Sequence, residues 1–243
     1  MNRVKTLRLV VDPINPQTPK SDAALENAAE ILRRGGLVAL PTETVYGLGA
    51  NALNKLAVEH IFRAKRRPAW DPIIVHIAST RMLDGLVQEI PKAAVPLMEA
   101  FWPGPLTLLL PRGPLVSDVV TAGRPLVGVR MPAHPVAHEL ISRAGVPIAA
   151  PSANMFAHIS PTTAAHVLQD LDGRIDAVLD AGPSVYGLES TVLDPNTSPM
   201  TIYRPGAVTA EQIREIAGPA RFFREDEEFL DAPVEPLPAP VDF

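Results

Sequence analysis

Leu37-Val38-Ala39-Leu40 runs directly into Pro41-Thr42-Glu43-Thr44-Val45-Tyr46-Gly47-Leu48-Gly49. The short apolar block reads as a buried strand, and the Pro/Thr/Gly segment after it reads as a loop. Upstream, Ala24, Leu25, Ala28, Ile31 and Leu32 repeat at helical spacing. Ser21 is the expected cap of that helix and Gly35-Gly36 its stop. Downstream, a further helix is predicted around Leu56–Arg66. A helix, a buried strand, a polar loop and a second helix in this order form the unit of an α/β protein.

The pattern continues along the chain. Strands are predicted at Ile73–Ile77, Leu106–Leu110, Val127–Arg130, Ile148–Ala150, Ala177–Leu179, Val192–Leu193 and Thr201–Tyr203. Helices fall near Ala93–Phe101, Val136–Arg143 and Thr162–Leu171, the last with Ser160 as cap and Pro161 in its first turn. There is no internal repeat. The short strands after Gly182 argue for mixed pairing rather than an all-parallel sheet.

The chain has 243 residues, 47% of them hydrophobic, which suffices for a sizeable core and excludes global disorder. It has no cysteine, which excludes disulfides, thiolate metal sites and cysteine nucleophiles. No apolar run approaches the roughly 18 residues of a membrane span, and the N-terminus lacks a signal-like block. The expectation is a soluble cytoplasmic protein with no membrane partner. Charge marks a boundary: residues 1–207 carry a net +1 and residues 208–243 a net −6. Thr209 and Gln212 form a capping box for one more helix. Beyond it lie Glu225-Asp226-Glu227-Glu228 and five prolines between Pro219 and Pro240. A compact domain is therefore expected over residues 1–218 and an acidic, proline-rich, linker-like tail over 219–243.

Several polar segments follow strand-like runs, where open α/β sheets place ligands. The segment 41–49 is neither a P-loop nor a dinucleotide fingerprint. Arg63-Ala64-Lys65-Arg66-Arg67-Pro68 suits a polyphosphate or nucleic-acid backbone, with a solvated helix end as the alternative. Arg130 closes an apolar strand and is either paired internally or held for a ligand carboxylate. Pro151-Ser152-Ala153-Asn154 and Ser160-Pro161-Thr162 offer hydroxyls and backbone N–H groups, which favour phosphate. No Gly-x-Ser-x-Gly elbow surrounds Ser152. Gly187-Leu188-Glu189-Ser190-Thr191 and Tyr203-Arg204-Pro205-Gly206 complete the series. His134 and His138 have helical spacing, but without a following Glu they read as a helix surface, and no metal site is assigned.

Taken together, these segments resemble the YrdC-like domain family, in particular the L-threonylcarbamoyladenylate synthases, from about Ala24 to Gly206. The resemblance rests on Pro-Thr-Glu-Thr-Val-Tyr-Gly-Leu at 41–48, Lys-x-Arg-Pro at 65–68, Pro-Ser-Ala-Asn at 151–154, Ser-Pro-Thr at 160–162, Gly-Leu-Glu-Ser-Thr at 187–191 and Arg-Pro-Gly at 204–206. It implies a twisted mixed α/β sheet with flanking helices around a large basic cavity. It also implies synthesis of L-threonylcarbamoyl-AMP from L-threonine, bicarbonate and ATP, with release of pyrophosphate. By resemblance, Thr44, His76, Arg130, Ala150 and Ser190 surround L-threonine. Lys65, Arg67, Asp71, Leu126, Ser152, Ser160 and Arg204 contact ATP, with Lys65 and Arg67 catalytic. Asp71 stands where the family usually has Asn, which places a carboxylate near the triphosphate unless protonation, an arginine or Mg²⁺ offsets it. Mg²⁺ is expected with ATP, and tRNA and a downstream threonylcarbamoyl transferase are the expected partners. Rival readings are a non-catalytic RNA-binding paralogue and a carbamoyl-transfer relative of the same fold.

Overall fold

The computed structural model describes residues 5–16 and 18–224. Eleven strands form one mixed sheet: β1 Leu7–Val10, β2 Val38–Leu40, β3 Gly47–Asn51, β4 Val75–His76, β5 Leu106–Pro111, β6 Leu126–Arg130, β7 Ile148–Ala149, β8 Ala177–Asp180, β9 Thr191–Asp194, β10 Met200–Arg204 and β11 Ala220–Phe222. Their spatial order is β1-β8-β2-β3-β7-β4-β6-β5-β9-β10-β11. Helices α1 Pro19–Arg33, α2 Lys55–Lys65, α3 Ala94–Phe101, α4 Asp118–Thr121, α5 Pro135–Ala144, α6 Ala164–Leu171 and α7 Ala210–Ala217 connect the strands. The expected mixed α/β sheet is therefore present.

The helices pack by the apolar stripes seen in the sequence. Leu25, Ala28, Ala29 and Leu32 of α1 are fully buried with Val136, Leu140 and Ile141 of α5 in one core cluster. A second cluster joins Ala57, Val58 and Ile61 of α2 to Val75, Leu106, Leu108 and Val129 of the sheet. Each buried Leu or Ile contributes roughly 1.5–3 kcal/mol from removal of its surface from water.

Two caps differ from expectation. Thr18, not Ser21, caps α1: its hydroxyl accepts from Ser21 N at 3.3 Å, and the Ser21 hydroxyl instead accepts from Asp12 N. Helix α6 starts late, with Thr163 as cap rather than Ser160, because residues 160–162 hold the loop beside β3 instead. The capping box of α7 is as expected, Thr209 and Gln212 each bonding the other's backbone N–H.

The expected domain end at 218 needs extending. Strand β11 pairs parallel with β10, and Phe223 stacks on Tyr203 at 4.9 Å between ring centres. Packing therefore runs into the start of the expected tail, because three residues of extended chain satisfy the free edge of β10. The expected linker-like stretch beyond residue 224 lies outside the described residues.

Candidate active site

The sheet brings strand ends from distant parts of the sequence around one cavity of about 760 Å³, a size suited to small-molecule ligands. Parallel pairing of β4 with β6 puts His76 directly beside Arg130. Ala150 and Ser152 follow β7, Ser190 immediately precedes β9, and Arg204 closes β10. Of the expected site residues, Thr44, Arg67, Asp71, His76, Leu126, Arg130, Ala150, Ser152, Ser190 and Arg204 all line this cavity.

On this wall Arg130 is almost wholly buried. Its Nε donates to Gly104 O at 3.1 Å, its Nη1 to Thr44 Oγ1 at 2.9 Å, and its Nη2 lies 2.6 Å from Glu43 Oε1. Burial lowers the Arg130 pKa, and the Glu43 charge opposes that shift. His76 is buried, and burial together with the Arg130 charge pushes it down to about 3, so the imidazole is neutral at working pH. Its Nδ1 is buried without a hydrogen-bond partner among the described residues.

This neutral histidine has a measurable consequence. Unfolded, it titrates near 6.5; folded, near 3. Between those values the unfolded state binds more protons, so the contribution is complete above pH 6.5 and is lost as pH falls toward 3. Denaturant unfolding followed from pH 6.5 to 4 should show roughly 3 kcal/mol of loss from His76 alone. A His76→Asn variant should show a shallower slope, and an unchanged slope would reject the assignment.

Elsewhere on the wall Arg67 is gripped by its own loop. Its Nε donates to Asp71 O at 3.1 Å, its Nη2 to Pro72 O at 2.9 Å, and its Nη2 pairs with Asp71 Oδ1 at 2.8 Å. Asp71 is thus offset by an arginine. Arg204 pairs with Glu189 and donates to Ser190 O and Ser190 Oγ, both at 3.0 Å. Thr107 Oγ1 lies 2.8 Å from Ser190 Oγ, so that hydroxyl is oriented from both sides.

Two expected residues sit elsewhere. Lys65 does not line the cavity; its Nζ donates to Ser152 O at 2.5 Å, to Asn154 O, and to Asn154 Oδ1 at 3.2 Å. Burial and the nearby Arg67 push its pKa down to about 7, while three oxygen acceptors match the three hydrogens of an ammonium. It supports the loop that carries Ser152. Ser160 also lies behind the wall, donating to Glu189 Oε1 at 2.9 Å. Arg67, Arg130 and Arg204 pair with Asp71, Glu43 and Glu189 respectively, and Arg124 lines the cavity as well.

Sequence reading missed Glu43 and Glu189 as site carboxylates. Each stands inside a quoted motif, but pairing with a residue far along the chain leaves no local signal. His134 proved to be the cap of α5, its Nδ1 accepting from Val136 N at 3.2 Å.

An α/β fold that gathers arginine forks, hydroxyls and a neutral histidine around one cavity defines a class of protein suited to binding small anionic groups. Comparison with known proteins narrows the class. The profile of the Sua5_yciO_yrdC family, described as "Telomere recombination", matches residues 30–206. The chain belongs to this family. It is 47% identical over 234 residues to the threonylcarbamoyl-AMP synthase of Bacillus subtilis, covering 96% of this chain and 67% of that protein. It is 51% identical over 194 residues to the synthase of Pyrococcus abyssi, covering 80% of this chain and 57% of that one. The crystal structure of P. abyssi Sua5 complexed with L-threonine superposes with a TM-score of 0.85 at 46% identity, over 90% of this chain and 63% of that one. The chain thus spans between 57% and 67% of the length of these relatives.

Proposed function

We propose that the protein joins L-threonine, bicarbonate and ATP into L-threonylcarbamoyl-AMP with release of pyrophosphate. The observation that carries this reading is the single cavity whose wall gathers Arg130, Thr44 and His76 together with Arg67, Ser152 and Arg204. The relatives' names, and the L-threonine complex of one of them, support the same substrates.

The residues present suit this chemistry. The threonine amine and bicarbonate condense to a carbamate with loss of water. A carbamate oxygen then attacks the α-phosphorus of ATP, and the bond to the β-phosphate oxygen breaks to free pyrophosphate. Arg130 holds the amino-acid carboxylate through its planar fork, and the Thr44 and Ser190 hydroxyls orient the rest of the molecule. Arg67 and Arg204 offset phosphate charge and align the reacting groups. No protein nucleophile is needed.

Mg²⁺ would enter with ATP. Magnesium takes one or two carboxylates together with phosphates and waters, and Asp71 and Glu189 are the carboxylates on the wall that fit this role. When bound it would neutralise phosphate charge. The product would pass to a transferase that modifies tRNA, in the cytoplasm. Among the described residues no helix is long and apolar enough to cross a membrane.

Pyrophosphate release tests the reading. Release from Mg-ATP is expected only when L-threonine and bicarbonate are both supplied. Release that ignores either one, or none at all from protein that binds ATP, overturns it.

A further inference from the structure

We propose that Glu43 is the positioning residue that fixes the Arg130 fork for the amino-acid carboxylate. The inference rests on the synthase reading above and assigns a task to a side chain which that reading leaves unused.

Arg130 keeps only 4% of its side chain exposed and Glu43 only 9%. Of the three contacts that tie down the Arg130 guanidinium, those to Gly104 O and Thr44 Oγ1 are neutral. The 2.6 Å contact to Glu43 is the one that carries a charge. Arg130 and Thr44 line the cavity, whereas Glu43 does not, and both of its carboxylate oxygens are shut off from solvent. Glu43 therefore stands behind Arg130 and acts on a ligand only through it.

The post itself is rigid. Glu43 O accepts from Tyr186 N at 2.9 Å, and Thr44 O accepts from Gly187 N at 3.0 Å. The Thr42 hydroxyl accepts from Thr44 N at 3.2 Å and from Val45 N at 3.3 Å and donates to Val45 O at 2.6 Å. The loop that carries Glu43 is thereby locked both to itself and to the segment leading to Ser190. A buried side chain on such a loop holds its partner in one orientation before any ligand arrives.

Two effects of Glu43 oppose each other. Its charge competes with a ligand carboxylate for Arg130, so removing it could strengthen binding. Its charge also makes the buried guanidinium tolerable, so removing it leaves an unmatched charge that must turn toward water or another acceptor. The depth of burial decides in favour of the second effect. An arginine with this little exposure cannot wait, aimed and unpaired, for an amino acid to reach it.

The test titrates L-threonine and ATP separately into the full chain by calorimetry, for wild type, Glu43→Gln and Glu43→Asp. Glu43→Gln should weaken L-threonine binding by at least about tenfold, with ATP affinity within about twofold of wild type. The threonine KM should rise more than kcat falls. Glu43→Asp keeps the charge on a shorter arm and should recover part of the loss; it carries the test if Glu43→Gln does not fold. L-threonine affinity that is unchanged or tighter in Glu43→Gln overturns the proposal, as does equal loss of both ligands. Wild-type protein that binds ATP but no L-threonine overturns the synthase reading, and this assignment with it.

Discussion

Replacing Lys65 by Met should lower unfolding stability by about 3 kcal/mol and weaken ATP binding by more than about tenfold. Met fills a similar volume, so the change isolates the ammonium. Deleting an entire buried ion pair can be neutral, but here only the donor goes. Ser152 O, Asn154 O and Asn154 Oδ1 lose the Lys65 Nζ that they share. An unmatched buried acceptor costs about 1–3 kcal/mol, and rehydration of the loop recovers part of the total. For a chain of this size the loss corresponds to a melting temperature lower by about 6–12 °C. ATP suffers because Ser152 loses its support, whereas Arg130 is held by other contacts and should keep L-threonine affinity within about threefold. Differential scanning calorimetry and separate ligand titrations read both effects. A melting temperature within about 2 °C of wild type would return Lys65 to the role of a plain phosphate contact.

Arg130→Ala should be the most damaging change for L-threonine. Truncating one partner of a buried charge pair costs about 2–5 kcal/mol, so L-threonine affinity should fall by at least about thirtyfold. The variant should still bind ATP, since Arg67, Ser152 and Arg204 are untouched. Arg130→Lys should also bind L-threonine poorly, because a point charge cannot replace a fork tied to Gly104 O, Thr44 Oγ1 and Glu43 at once. L-threonine binding at wild-type strength in either variant would move the amino-acid site away from β6.

What the sequence made legible follows from how local each signal is. The capping box at Thr209 and the apolar stripe of α1 need only a few neighbouring residues, and both appear as expected. Strand β3 was invisible: Gly-Leu-Gly-Ala-Asn has poor strand propensity and reads as loop. It is a strand because β2 and β7 pair with it on either side. Its Gly49 also lets Leu40 and Ile148 close in, since a Cβ there would lie 2.9 Å from each side chain. The site divides in the same way. Motif residues at strand ends could be picked out one at a time, and most of them line the cavity. The carboxylates that tune them could not, because Glu43 meets Arg130 across 87 positions and Glu189 meets Arg204 across 15. The burial of Lys65 was hidden for the complementary reason: its partners lie in the loop at 151–154, 87 and 89 positions along the chain.

Strand β1 has a consequence for how the molecule is made. Leu7 pairs with Ala177 and Val10 with Asp180. On leaving the ribosome β1 therefore has no partner until about 170 further residues have followed. At roughly 5–20 residues per second that is a wait of about 10–35 s. Through that interval β1 cannot join the sheet. In the finished fold it lies at the edge, with Leu7 and Val10 each nearly half exposed. A short strand carrying Arg8, anchored late through the Arg8–Asp180 pair at 2.6 Å, is poorly suited to recruiting a neighbouring nascent chain in the meantime.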